Sequence, residues 1–333
     1  MSRLLKKIKI WFTVFGIFVS DPKMFLSFLR NLILLQRQRK NIVVSLTEHI
    51  GDLVAAEPIS RHVKEANKDK KIIWVVHKKY VQLIRNNPFI DDLITVTCFS
   101  EWILLRKLTF GRHWVDLHLD RKVCDKHQLL YKREIPIDIN NYNYYEKGNL
   151  LFCFSRSAGL NIDSSIAPKL YFQKKRRRSF LSIVVHSSSN HSKRKWTKEG
   201  WNETANYIVS RFSNVKIIEI GFESMIDIQS SPYINYCGQK ELSDIAELIE
   251  NCSLFIGVDS GFAHFANAME KESLILIGTY NGFKNYMPYS GKFQKECQSQ
   301  IYYTSKELSQ LKFDEIKPEL EKKLHWITPG VPE

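Results

Sequence analysis

Residues 254–269, LFIGVDSGFAHFANAM, decide the fold of this 333-residue chain. An apolar run, LFIGV, ends at Asp259-Ser260-Gly261 and gives way to a helical pattern that carries His264. The free N–H groups and the positive dipole end of a helix that starts here favour an anion. The segment therefore predicts a seat for a phosphorylated ligand or, as the plainer alternative, an ordinary helix capped by Asp259 or Ser260.

The same alternation of strand, turn and helix recurs from residue 41 onward. Before the basic run at 174–178 the strand-like segments are NIVVSL, KIIWVV, LITV and WVDLHL, and after it they are SIVVH, VKIIEIG, LFIGV and SLILIG. Alternation of this kind builds parallel sheets covered by helices. It predicts an α/β protein with two Rossmann-like domains, residues 41–178 and 179–333, which face each other across a cleft and bind ligands at the carboxyl ends of their strands.

The positive charge is confined to the first half of the chain. Residues 1–178 hold 33 Lys and Arg against 16 Asp and Glu, whereas residues 179–333 hold 16 against 19. This asymmetry indicates a polyanionic partner for the first half, such as a nucleic acid, an acidic membrane surface or a phosphorylated glycolipid, with a solvated basic face as the alternative. The six cysteines show no CxxC or metal-ligand spacing, which fits a reducing, cytoplasmic compartment.

Residues 1–40 form a basic, apolar extension. Two apolar stretches, 8–19 and 24–35, lie between clusters of Lys and Arg. Each has about a dozen residues, short of the roughly 20 that a helix needs to span a bilayer. The pattern predicts amphipathic helices that lie in a membrane interface, or helices that pack on the protein's own core.

Several common catalytic signatures are missing from the sequence. It has no GxGxxG, GxxxxGK[ST], HExxH or GxSxG, and no Asp-x-Asp. The simplest nicotinamide, P-loop, zinc-protease and α/β-hydrolase mechanisms are therefore excluded. Metal-bridged pyrophosphate binding through Asp-x-Asp has no support either.

Three loops at strand ends carry complementary chemistry. Gly51-Asp52 follows the first strand, where Asp52 fits a general base or simply a turn aspartate. The loop 186–196, HSSSNHSKRKW, supplies hydroxyls and three consecutive cations that suit a pyrophosphate, unless it is only a solvated basic loop. The third is the Asp259-Ser260-Gly261 turn with His264, a histidine that could also be satisfied within its helix.

In order and spacing these loops resemble glycosyltransferase family 9, the ADP-heptose:lipopolysaccharide heptosyltransferases. The resemblance covers roughly residues 41–290 and rests on Gly51-Asp52, on the Ser-rich loop 187–197, and on Asp259–His264 followed by a strand and Gly-Thr at 278–279. It implies the GT-B fold, with the acceptor on the first domain and the nucleotide-sugar on the second. The chain departs from the family at Thr197, where proline is usual, in its longer N-terminal extension and in the segment 119–128.

Carried over residue by residue, the resemblance assigns a role to each position. Asp52 becomes the catalytic base, and Gly51, Asp116 and His118 lie on the acceptor side. The donor and its phosphates fall to Ser187, Ser188, Lys193 or Arg194, Glu223, Asp259, Ser260, Gly261 and His264. Glu223 is the candidate for the ribose hydroxyls.

The resulting functional prediction is an inverting, metal-independent glycosyltransferase without a cofactor. It would move a sugar, a heptose from ADP-heptose by the resemblance, onto a lipopolysaccharide core or a related anionic glycolipid, peripherally at the cytoplasmic face of the inner membrane. The alternatives are a relative with another nucleotide-hexose donor and a non-catalytic glycolipid-binding protein on the same scaffold. Nucleic-acid binding is disfavoured, because it leaves the loop 259–264 without a purpose.

Overall fold

A computed structural model describes residues 15–38, 40–109, 113–133, 137–172, 181–189, 191–212, 215–229 and 232–327. The chain divides into two compact units. Unit 1 consists of Met1–His49, Ile59–Tyr144 and Cys153–Ile162, and unit 2 of Ile50–Pro58, Tyr145–Phe152 and Asp163–Glu333. The predicted boundary at residue 178 lies outside the described residues, and the proposed division at that point stays a prediction.

Both units are built on parallel sheets, which confirms the predicted α/β class. The strands are β1 (Ile42–Ser45), β2 (Ile72–His77), β3 (Asp92–Val96), β4 (His113–Asp116), β5 (Ser182–His186), β6 (Lys216–Glu219), β7 (Tyr233–Asn235), β8 (Leu254–Val258), β9 (Ser273–Ile277) and β10 (Ile301–Tyr303). Unit 1 has the order β3-β2-β1-β4, and unit 2 has the order β10-β9-β8-β5-β6-β7. The central strands β1, β5 and β8 are buried along their whole length, as expected when helices cover both faces of a sheet.

The helices alternate with these strands. They are α1 (residues 15–20 of its described part), α2 (Pro22–Arg37), α3 (Ile50–Ala55), α4 (Glu57–Ala66), α5 (Val81–Ile84), α6 (Phe99–Leu108), α7 (Tyr144–Lys147), α8 (Leu150–Ser157), α9 (Lys198–Arg211), α10 (Leu242–Asn251), α11 (Gly261–Ala268), α12 (Lys292–Lys295), α13 (Cys297–Gln300) and α14 (Phe313–Ile327). Thr197 caps α9 by accepting a hydrogen bond from Gly200 N–H at 3.1 Å. A threonine is therefore suitable where the family usually has proline.

Helix α2 packs on unit 1 through one face. Met24, Phe28 and Leu35 are buried in the core that also contains residues of β2, β3 and α6. Asn31, on the same face, donates hydrogen bonds from Nδ2 to Thr95 O at 2.8 Å and to Glu101 Oε1 at 2.9 Å. Of the two alternatives for the extension, packing on the protein's own core therefore holds for this face of α2, while residues 1–14 lie outside the described part.

Helix α3 belongs to unit 2, although it directly follows a strand of unit 1. It packs against α11, and the two helices meet at glycines. A Cβ placed on Gly51 would lie 2.7 Å from His264 Cδ2, and one on Gly261 would lie 2.8 Å from Ile50 Cγ2. The close approach of α3 and α11 therefore depends on two positions without side chains.

Candidate functional site

The site of unit 2 lies at the point where its strand order reverses. From β5 the chain proceeds to β6 and β7 on one side, and then crosses to β8 and β9 on the other. The loops that leave β5 and β8, which are neighbours in the sheet, therefore diverge and leave a crevice between them. These are the two loops in which the sequence places Ser187, Ser188, Asp259 and Ser260.

Asp259, at the end of β8, is the centre of a buried polar network. Its Oδ1 accepts a hydrogen bond from Tyr289 Oη at 2.6 Å, its Oδ2 accepts one from Tyr286 Oη, and Arg194 Nη1 lies 3.0 Å from Oδ2. The carboxylate is 5% exposed. With these three partners, Asp259 fixes the position of Arg194 in the loop, and its predicted part in donor binding stays a prediction.

Arg194 comes from the loop after β5. Its guanidinium lies over the Tyr280 ring, 3.9 Å from the ring centre, and next to that of Tyr286. Burial is the largest single effect and opposes the charge on Arg194, but Asp259 and the neighbouring tyrosines Tyr286, Tyr145 and Tyr280 together outweigh burial and raise the arginine pKa. A stacked, paired guanidinium is a fixed cation, whereas the side chain of Lys193, one residue earlier, is exposed to solvent.

Ser260 and His264 lie at the amino end of α11. Ser260 caps the helix by accepting a hydrogen bond from Ala263 N–H at 3.4 Å, and its Oγ lies 2.9 Å from His186 Nδ1. Burial lowers the pKa of both His186 and His264 to about 4, so both imidazoles are neutral near pH 7. His264 can therefore contribute a hydrogen bond to a diphosphate, but not a positive charge.

The Nδ1 atom of His264 is buried and has no hydrogen-bond partner within the described part of the chain. Buried polar atoms in proteins are nearly always paired. The atom lies beside the predicted anion seat, since His264 shares α11 with Ser260 and Gly261. It is therefore a polar group that a ligand could satisfy.

Ser187 and Ser188 differ in their surroundings. Ser187 is buried, and its hydroxyl donates a hydrogen bond to Glu219 at the end of β6. Ser188 faces Gly221, where φ is +133° and a Cβ would lie 3.2 Å from Ser188 Oγ. Ser188 is thus next to a stretch of backbone that only glycine accommodates, while Ser187 serves to fix the loop.

Of the carboxylates at the end of β6 and in the loop after it, the sequence singled out only Glu223. Glu219 is buried and accepts hydrogen bonds from Tyr233 Oη at 2.6 Å and Ser224 Oγ at 2.5 Å, as well as from Ser187. Glu223 is exposed and lies 3.3 Å from Lys195 Nζ. Glu219 is therefore structural, whereas Glu223 is a carboxylate of this loop that solvent and ligands can reach.

Asp52 lies in the first turn of α3, next to the donor loop of unit 2. Its neighbour Gly51 touches the His264 ring, and the Asp52 carboxylate acts to raise the pKa of His264 against the larger effect of burial. Asp52 is itself partly exposed. Unit 2 thus brings the predicted base to the predicted anion seat, although the two are about 200 residues apart in the sequence.

The predicted acceptor-side residues of unit 1 form a buried network of their own. His118 Nδ1 donates to Asp116 Oδ1 at 2.9 Å, and His118 Nε2 accepts from Thr47 N–H at 3.1 Å. Tyr131 Oη also donates to Asp116. Burial lowers the pKa of His118 although Asp116 acts in the opposite sense. Asp116 and the neutral His118 therefore support the loop after β1 from inside, and their polar atoms are already used.

Sequence reasoning missed four contributors to the unit 2 site: Glu219, Tyr280, Tyr286 and Tyr289. A signal existed for Glu219, a single charge within the apolar run VKIIEIG. The tyrosines lie in a loop without periodicity, so nothing local distinguished them.

Two features of the described residues bear on metals and membranes. Among them no group of three or more His, Cys, Asp or Glu is arranged to hold a metal ion. No helix in the same part of the chain has both the length and the apolar character needed to cross a bilayer.

Comparisons with known proteins point to one family of glycosyltransferases. The family model described as glycosyltransferase family 9 (heptosyltransferase) matches residues 171–314. Lipopolysaccharide heptosyltransferase 1 of Campylobacter coli is 21% identical over an alignment of 290 residues that covers 71% of this chain and 83% of the relative.

Solved structures share the fold over most of the chain. A glycosyl transferase of family 9 from Veillonella parvula superposes with a TM-score of 0.61 at 17% identity, covering 86% of this chain and 97% of that one. Heptosyltransferase WaaC of E. coli, solved with ADP, superposes with a TM-score of 0.58 at 15% identity, covering 85% and 99%. The expected resemblance and the expected GT-B fold are both confirmed.

Proposed function

We propose that the chain is a glycosyltransferase of the family 9 kind and that it transfers a heptose from ADP-heptose to a lipopolysaccharide core or a related phosphorylated glycolipid. The observation that carries the proposal is the packing of α3 on α11. It holds Asp52 next to the amino end of α11 and His264 within one compact unit. A base beside an anion seat is the arrangement that displacement of a nucleoside diphosphate by a hydroxyl requires.

In the proposed reaction, Asp52 takes the proton of the acceptor hydroxyl as its oxygen attacks the anomeric carbon of the donor. The bond from that carbon to the diphosphate breaks, and the configuration inverts. The leaving diphosphate gains negative charge, which the α11 N–H groups, neutral His264 and the cations Lys193 and Arg194 stabilise without a divalent ion. Ser188 and Gly221 adjoin the phosphates, and Glu223 binds the ribose.

The acceptor determines the proposed location. We expect the acceptor to bind the first half of the chain, which carries the excess of Lys and Arg. A lipid-linked, phosphorylated acceptor fits that charge, and it places the enzyme peripherally on the cytoplasmic face of the inner membrane. The supporting residues of unit 1, Asp116 and His118, shape the acceptor side through the loop after β1.

The test is transfer by Asp52→Asn with Asp69→Asn, a change at an exposed carboxylate, as the matched control. We expect Asp52→Asn to lower kcat about 100-fold or more while the donor Kd changes less than about threefold, because asparagine keeps the shape but not the basicity. Asp69→Asn should match the wild type. Full turnover by Asp52→Asn contradicts the assignment of the base.

Three further measurements test the finer parts of the proposal. Release of nucleoside diphosphate from a panel of nucleotide-sugars identifies the donor, and preference for a hexose donor contradicts ADP-heptose. NMR of the product reports the anomeric configuration. Activity that a chelator abolishes and a divalent ion restores contradicts the metal-independent mechanism.

A further inference from the structure

We propose that the outward face of α2 docks on an anionic lipid bilayer. This outward face consists of Leu26, Leu29 and Ile33 together with the cations Lys23, Arg30 and Arg37. The inference deepens the proposed function, on which it rests for the location of the acceptor, by naming the surface that meets the lipid.

Helix α2 has two apolar faces, and only one of them has a partner among the described residues of unit 1. Met24, Phe28 and Leu35 point into the core. The outward face is rotated by roughly half a turn from them, at 100° per residue. On it Leu26 is 66% exposed, Ile33 53% and Leu29 38%. A helix that only had to cover a core would carry polar residues at these positions.

The contacts of the inward face fix the orientation of the outward one. Asn31 is hydrogen-bonded to Thr95 O and Glu101. Gln38, just beyond the end of α2, donates from Nε2 to Asp92 Oδ2 at 3.1 Å. The apolar stripe cannot turn inward without breaking these bonds, so it is presented to the surroundings of unit 1.

The charge of the outward face identifies its partner. Lys23, Arg30 and Arg37 are exposed, and α2 contains no acidic residue. A second copy of the chain would bring the same cations against themselves across a two-fold axis, which is unfavourable. A nucleic acid would leave the leucines without a partner. Apolar side chains next to cations fit the boundary between acyl chains and anionic headgroups.

The experiment measures binding of the full chain to vesicles of phosphatidylcholine alone and of phosphatidylcholine with phosphatidylglycerol, by co-sedimentation. We expect binding only to the anionic vesicles. Leu26→Ser/Ile33→Ser should weaken it about tenfold or more. Arg30→Gln/Arg37→Gln should weaken it about fivefold for each cation removed.

Matched controls alter similar side chains elsewhere. Phe222→Ser removes a more exposed apolar side chain of unit 2, and Lys68→Gln/Lys198→Gln removes two exposed cations. Both controls should bind the anionic vesicles like the wild type. Equal weakening by the controls overturns the proposal, as does wild-type binding by both α2 variants.

Two outcomes separate this inference from its alternatives and from the reaction. If the chain dimerises in light scattering and Leu26→Ser/Ile33→Ser makes it monomeric, the partner is a second copy and the proposal is wrong. Asp52→Asn should bind vesicles normally even when transfer is lost. The α2 variants should transfer sugar normally to an acceptor without its lipid, so failure of the reaction and failure of docking are distinguishable.

Discussion

Substitution of Gly261 by alanine tests whether the contact between α3 and α11 controls the reaction. The added Cβ would lie 2.8 Å from Ile50 Cγ2 and 2.9 Å from Ile50 Cβ. Unbonded carbon atoms prefer about 3.5–4.0 Å, so one helix must move by roughly 0.7 Å or more. Because Ile50 is two residues before Asp52 in a short helix, the movement shifts the proposed base away from the anion seat.

Two opposing effects set the size of the change in stability. Overpacking costs about 1–3 kcal/mol. Replacing glycine within a helix recovers up to about 1 kcal/mol. We therefore expect the free energy of unfolding of Gly261→Ala to fall by about 1 kcal/mol, too little to unfold the protein.

The effect on catalysis should be larger. Since a misplacement of about 1 Å costs on the order of 100-fold in rate, we expect kcat to fall roughly 30-fold or more. The assay is steady-state release of nucleoside diphosphate, alongside urea unfolding. Gly16→Ala is the matched control, because a Cβ there meets nothing within 4 Å. Wild-type kcat for Gly261→Ala would refute the view that this contact positions the base.

Two further predictions concern unit 2. Asp259→Asn leaves the stacked Arg194 without its counter-charge and should lower the free energy of unfolding by about 3 kcal/mol. This is the low end for a broken buried pair, because Arg194 is 20% exposed. Hydrogen exchange of peptides from residues 254–277 measures the loss, and the double variant Arg194→Met/Asp259→Asn should regain part of it. The pKa values of His186 and His264 are about 4, below the ordinary value near 6.5, so the unfolded chain binds protons first as the pH falls. The contribution of each histidine to the free energy of unfolding should therefore be complete above about pH 6.5 and decline by about 1.4 kcal/mol per pH unit down to about pH 4. In urea unfolding, His264→Gln should show a shallower decline with falling pH. An unchanged slope contradicts the pKa assigned to His264.

The elements that sequence predicted well are those whose burial is uniform. Apolar, β-branched runs such as LFIGV and SLILI became β8 and β9, because a parallel strand covered on both faces tolerates little else. The strand β7, Tyr233–Asn235, was not predicted, since it is short and only partly buried.

The residue types of the site could be predicted from the sequence, but the hydrogen bonds and ion pairs that connect them could not. The resemblance brought Asp259 and Arg194 to one site as separate ligand contacts, whereas the structure pairs them with each other. Partners such as Tyr286 and Tyr289 come from a loop about 30 residues later, and no local pattern encodes which hydroxyl reaches Asp259. Likewise, the membership of Asp52 in unit 2 follows from a long-range helix contact, which periodicity does not record.

The placement of Ile50–Pro58 in unit 2 has a consequence for building chimaeras. A natural approach is to exchange the first α/β unit with that of a relative at a single junction. Here such a junction would separate α3 from α11, since α3 interrupts unit 1 in sequence while it folds with unit 2. A working chimaera should retain Ile50–Pro58 and Tyr145–Phe152 from the parent of unit 2, with junctions on both sides of each segment.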